Sequence, residues 1–179
     1  PTGGPWTALG AASGLAPGLV IAWSVLAVVI RGYGGGMIPM GWNTGLWLSL
    51  LPAACAALGK GAGGFVADRL GARATGVAAM LASAVLLGFF SANPLLCALG
   101  LICFNLCMPI TLCALADCLP QNPGFAFGLT TLGLFAGWLP LALWGAPVAA
   151  GRWVTGLCVL SALCLATATG NKIRRRHHE

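Results

Sequence analysis
Side chains able to do chemistry are few in this chain, and their spacing narrows what they can do. Eight cysteines stand at Cys55, Cys97, Cys103, Cys107, Cys113, Cys118, Cys158 and Cys164, each within or at the end of an apolar stretch, with no Cys-x-x-Cys and no histidine nearby. A disulfide scaffold is not expected from that pattern. Cys103 and Cys107 lie one helical turn apart and Met108 follows, a soft-ligand set that suits Cu(I). Buried cysteine more commonly acts as a small apolar residue, and no metal or other cofactor is expected. His177 and His178 are confined to the C-terminal tail, so a nucleophile in the apolar segments has no base beside it, and an enzyme is not expected.

The elements that must hold these residues follow from composition. Of 179 residues 59% are hydrophobic and 7% charged, against about 25% charged in a soluble domain, which excludes a water-soluble fold. The net charge of +6 does not mark a nucleic-acid surface, because Lys172, Arg174, Arg175 and Arg176 crowd the last eight positions. Apolar runs separated by Gly, Pro, Asn and charge predict six spans, at 11–31, 43–63, 74–91, 94–116, 124–146 and 152–170, each near the ~20 residues a bilayer demands. The chain reads as one six-helix domain over 1–179, with 171–179 a basic tail. The first residue is Pro and no cleavable leader precedes the first span, so the start is read as trimmed or as continuing from something else.

Lys60, Arg69, Arg73 and the four tail cations fall on the side of the termini, against Arg31 and Arg152 on the other. That asymmetry makes both termini cytoplasmic. Trp42, Trp144 and Trp153 mark the outer ends of their spans, where indole prefers the headgroup region. Pro17, Pro52, Pro109 and Pro140 are expected inside helices, where they either shape a cavity and its hinges or simply curve the chain. Gly10/Gly14/Gly18, Gly59/Gly63 and Gly133/Gly137 are expected to pack helices closely.

Between spans two and three the sequence reads Gly64-Phe65-Val66-Ala67-Asp68-Arg69-Leu70-Gly71-Ala72-Arg73, expected as a tight charged turn. Its glycines permit φ > 0, Asp68 can face the positive end of a helix, and Arg69 and Arg73 can pair with an acid or a lipid phosphate. This stretch resembles the signature loop of the major facilitator superfamily, roughly G-x-L-x-D-R-x-G-R-R, departing from it at Val66 and Ala72. As in that family, it follows the second of six spans. Ala116-Asp117-Cys118-Leu119-Pro120 with Gly124-Phe125-Ala126-Phe127-Gly128-Leu129 looks like the family's link between fourth and fifth helices, with Pro123 where a basic residue is usual. Arg31-Gly32-Tyr33-Gly34-Gly35-Gly36-Met37-Ile38-Pro39 resembles the end of the first helix of a C-terminal half. Gly133, Gly137, Pro140 and Gly145 resemble the antiporter motif only in part, and antiport is not inferred.

The resemblance spans essentially the whole chain and implies an all-α membrane protein of the bacterial inner membrane, a major-facilitator-type half bundle. Complete transporters of that family have about twelve spans in two halves that rock about a midplane site. A partner is therefore expected: a second copy in a homodimer, a separately encoded half, or a missing N-terminal segment. The resemblance implies a cytoplasmic gate of Gly64, Asp68, Arg69, Gly71 and Arg73, with Asp68 set against the start of span five near Phe125 of the opposite half and Arg73 against Asp117 of its own. The expected function is alternating-access transport of a small organic solute, amphipathic or weakly anionic. The other reading is a non-transporting scaffold or accessory subunit.

No Asp, Glu, Lys or His is expected at mid-span, so the sequence shows no proton carrier and leaves uniport open. Candidates for the substrate path are Arg31 at the outer end of span one, Tyr33 beside it, Asn105 in span four, and Trp47 and Trp138 toward the outer leaflet. Each also has a plain structural role open to it: Arg31 can snorkel to headgroups, Asn105 can bond a neighbouring carbonyl, and the tryptophans can anchor at the interface.

Overall fold
The computed structural model describes residues 17–42, 44–145 and 150–169. Among these, the chain forms six helices and no strand: α1 (Pro17–Gly36), α2 (Leu46–Leu70), α3 (Ala72–Phe89), α4 (Pro94–Cys118), α5 (Pro123–Trp144) and α6 (Ala150–Ala168). All six are long and apolar enough to cross a membrane, the architecture of an integral multi-pass membrane protein. The expected span positions 11–16, 43, 146 and 170, and the tail 171–179, lie outside the described residues.

The charged stretch at 64–73 is not the turn expected from sequence. α2 continues through Asp68 and Arg69 to Leu70, Gly71 alone interrupts the chain, and α3 opens at Ala72. Ala, Arg and Leu are good helix formers, and in this stretch the reversal falls on Gly71, whose φ of 89° favours a residue without Cβ. Its N–H closes α2 by donating to the Ala67 carbonyl at 2.9 Å, and Thr75 Oγ1 donates back to the Val66 carbonyl at 3.4 Å. The longer α2 moves Lys60 away from the helix end. It lies ten residues before Leu70, about 15 Å along the axis, so it stands near the middle of α2, where the shorter expected span had put it close to the end.

α4 starts at Pro94, with Asn93 as its cap: the side-chain oxygen accepts from the N–H groups of Leu95 at 3.0 Å and Leu96 at 3.4 Å. Asn93→Ala is expected to cost about 1 kcal/mol, read as a lower thermal midpoint in detergent, with Asn93→Ser restoring most of it. Pro52, Pro109 and Pro140 lie inside α2, α4 and α5 as expected. Pro17 is the first described residue of α1, and the residues before it lie outside the described ones.

The glycines disclose how the helices run past one another. A Cβ on Gly59 would meet the Ile102 carbonyl oxygen at 2.5 Å and Asn105 Cβ at 2.7 Å, and one on Gly63 would strike the Leu106 carbonyl. α2 therefore packs parallel to α4, backbone against backbone. The same relation recurs between α5 and α1, where Gly133 faces Val28 and the Val25 carbonyl, and Gly137 faces the Val29 carbonyl and Gly32. The Gly59/Gly63 and Gly133/Gly137 pairs thus pack helices closely, as expected. Gly18 has open space around it, and Gly10 and Gly14 lie outside the described residues. α3 and α6 are antiparallel, with Gly76 near Leu165 and Gly88 near Thr155.

Exchanging α1-α2-α3 for α4-α5-α6 maps the principal packing pairs onto themselves. α2 on α4 becomes α5 on α1, α3 on α4 becomes α6 on α1, and the α1–α4 and α3–α6 pairs are each returned to themselves. Val25, Val28 and Val29 take the places of Ile102, Asn105 and Leu106. In this register Arg31 corresponds to Met108, and these two residues touch, with Arg31 Nη2 donating to Met108 Sδ at 2.8 Å. The bundle is thus two inverted three-helix repeats whose two-fold axis crosses the helices at the Arg31–Met108 contact.

Trp42 Nε1 donates to the Ser91 carbonyl at 2.9 Å, tying the α1–α2 connection to the α3–α4 turn. Trp42, Trp144 and Trp153 share this end of the bundle, with Trp144 and Trp153 exposed, while the 64–73 motif occupies the other. Only 17% of the α2 span and 28% of the α5 span are buried, against 39% for each of the other four. The exposed apolar side chains are consistent with contact to lipid.

Candidate functional site
α1, α2, α4 and α5 enclose a cleft of about 340 Å³. Pro52, Ala56 and Lys60 line it at successive four-residue steps of α2, one face of a helix. Phe104, Asn105 and Met108 line it from α4, Arg31 from α1 and Trp138 from α5. A neighbouring cleft of about 360 Å³ shares Lys60, Met108 and Leu134 with the first and adds Thr130 and Thr131 of α5.

Arg31 lies inside the bundle. The sequence expectation set it at the outer end of its span, within reach of headgroups. Instead it is 3% exposed, because α1 continues five residues beyond it to Gly36 and α4 covers it. Its carbon Cζ sits 5.6 Å from the centroid of the Phe104 ring, a cation–π contact, and its one hydrogen bond is to a thioether sulfur, a weak acceptor. Nε and Nη1 are buried without a partner. Nε and Nη1 carry three of the five guanidinium N–H bonds, and all three are unsatisfied, in an apolar interior where polar groups are costly and commonly functional.

The Gly59–Asn105 and Gly63–Leu106 contacts set Lys60 three to four residues, roughly 5 Å, from the level of Met108, and the cleft is lined by two cations, Arg31 and Lys60. No carboxylate lines it; Asp68 is eight residues beyond Lys60, about 12 Å along the helix.

In comparisons with known proteins, no family model, curated sequence or solved structure matches this chain.

The remaining sequence candidates divide. Asn105 lines the cleft, and its Nδ2 donates to the Leu101 carbonyl at 2.8 Å, the bond to a neighbouring carbonyl that the sequence left open to it. Trp138 lines the cleft and is 51% exposed. Trp47 is 83% exposed near the start of α2 and is not on the cleft. Tyr33 does not line it and is partly buried against the hydrophobic core. Lys60, Phe104 and Met108 were missed from sequence. The signal for Lys60 was its register with Pro52 and Ala56, beside the Gly59/Gly63 ridge that packs on α4.

The residues expected to form a gate lie at the opposite end of the bundle from Trp42. Gly64 borders open space, Asp68 and Arg69 are exposed, Gly71 makes the reversal, and Arg73 is half-buried in the first turn of α3. Asp117, in the last turn of α4, and Asp68 both lie within electrostatic reach of Cys113, so α2 and α4 bring the two acids to one region. All eight cysteines are free. The Cys107 thiol faces the Phe104 carbonyl at 3.0 Å and Met80 Sδ at 3.1 Å, buried in the core. Among the described residues no three His, Cys, Asp or Glu side chains cluster as metal ligands.

Proposed function
We propose that the chain is one six-helix half of a major-facilitator-type transporter, moving a small organic solute by alternating access against a second half, supplied by another copy or a separate chain. The observation that carries this reading is the pair of inverted three-helix repeats with a cleft at the level of their two-fold axis. Transporter halves are built from such repeats, and their substrates bind near the midplane. The sparse burial of α2 and α5 supports these helices as the faces that meet the second half.

In this reading the Asp68 end is cytoplasmic and forms the inner gate, with Asp68 meeting the start of α5 near Phe125 of the other half. Asp68 and Phe125 are both exposed, and a carboxylate is favoured at a helix N-terminus. Asp68→Asn is expected to slow flux roughly 5- to 100-fold, the range of a coupling between two conformations, without unfolding the chain. Two measurements test this in reconstituted vesicles. One is uptake of a panel of small carboxylates, sugars and amines. The other is alkylation of a cysteine placed at Ala56 by a membrane-impermeant maleimide from either side. Unaltered uptake together with unaltered labelling in Asp68→Asn, or no uptake above empty vesicles, rejects the reading.

A further inference from the structure
We propose that the cleft at the repeat axis binds a small organic carboxylate with an apolar body, held by Arg31 and Lys60; this rests on the transporter reading for its purpose, though not for its chemistry. Arg31 is 3% exposed, and its Nε and Nη1 lack partners. Nη2 uses one of its two N–H bonds on Met108 Sδ, and its other N–H pairs with Nε–H or Nη1–H as a two-donor fork that matches a carboxylate through two parallel N–H···O bonds. Lys60 adds a second positive charge to the lining of the same cleft, from α2.

No acid among the described residues lining the cleft neutralises either cation. Two like charges facing a low-dielectric space repel each other and attract an anion from both sides. Away from the cations the walls are Ile38, Leu101, Leu134 and Trp138, which offer nothing to a strongly hydrated inorganic anion and suit an apolar or aromatic body. A volume of about 340 Å³ accommodates a compact molecule of that kind. Asn105 Nδ2 is engaged with Leu101, which leaves its side-chain oxygen as an acceptor for a hydroxyl on the same ligand.

The test uses the full chain in neutral phosphatidylcholine nanodiscs, with radiolabelled benzoate as probe and unlabelled benzyl alcohol as its neutral counterpart. Saturable benzoate binding that benzyl alcohol does not displace is expected. Arg31→Met is expected to weaken it roughly 10- to 100-fold, as loss of charge-assisted hydrogen bonds does. Lys60→Met, at an exposed side chain whose loss leaves the packing intact, is expected to weaken it several-fold, and Arg31→Lys to retain part of it. Absence of saturable binding overturns the proposal, as does equal displacement by benzyl alcohol or binding that survives both methionine substitutions. Full displacement of benzoate by a few mole per cent of phosphatidylglycerol also overturns it, by showing the anion to be a lipid phosphate. Benzoate binding without uptake into vesicles upholds the carboxylate site and fells the transporter reading. Uptake of a neutral solute without benzoate binding does the reverse.

Discussion
Arg31→Met is expected to stabilise the bundle by roughly 1–3 kcal/mol while removing whatever the cleft binds. Arg31 is a full charge held by one thioether contact and one aromatic face, with Nε and Nη1 buried and unpaired. A weak sulfur acceptor and one ring face offset only a small part of the loss of its hydration. Methionine has similar length, adapts to irregular space and suits both Met108 and Phe104 through sulfur contacts. Thermal denaturation of the two chains in the same detergent, without added anion, reads the difference. A fall in midpoint of the size produced by a core truncation would show the cation to be structural, and the cleft would lose its claim to function. Retention of so costly a group is otherwise hard to explain except by what it holds.

Gly137→Val and Gly63→Val are each expected to destabilise by at least about 1–3 kcal/mol, the range for forcing extra carbons into a packed interior. At both positions the first added carbon would run into a backbone carbonyl, of Val29 and of Leu106, and a backbone cannot rotate away as a side-chain tip can. Because α5 on α1 repeats α2 on α4, the two losses should be similar and should add in the double variant, their sites lying on different helix pairs. Gly64→Ala, one residue beyond Gly63 and bordered by open space, is the control and should be neutral or slightly stabilising, alanine being the better helix former. Unfolding in detergent against a denaturing one reads all four chains. If Gly137→Val matches Gly64→Ala, α1 and α5 do not approach as described.

The two glycine pairs also show how far the sequence could be followed. Gly59-x3-Gly63 and Gly133-x3-Gly137 were legible as packing ridges, because helix association in lipid depends on small residues. That they occupy equivalent places in two inverted repeats was not legible. Their partners, Ile102 and Asn105 on one side and Val25 and Val28 on the other, share no side-chain identity, since the contact is made by backbone. Arg31 and Met108 are likewise equivalent in place and unrelated in chemistry.

By itself the sequence determined that this chain is six apolar helices, because apolar run length, scarcity of charge and a few local breakers act over neighbouring residues. It also marked Arg31, Asn105 and Trp138, since polar and aromatic groups are rare enough here to be noticed. Only the tertiary structure decided at what depth Arg31 and Lys60 lie and that they face one cleft. Depth depends on where a helix ends: α2 ran seven residues beyond its expected limit because nothing before Gly71 stops it. Facing depends on which neighbour covers a side chain, and α4 covers Arg31 through contacts 77 residues away in the chain, a relation that no local pattern of residues records.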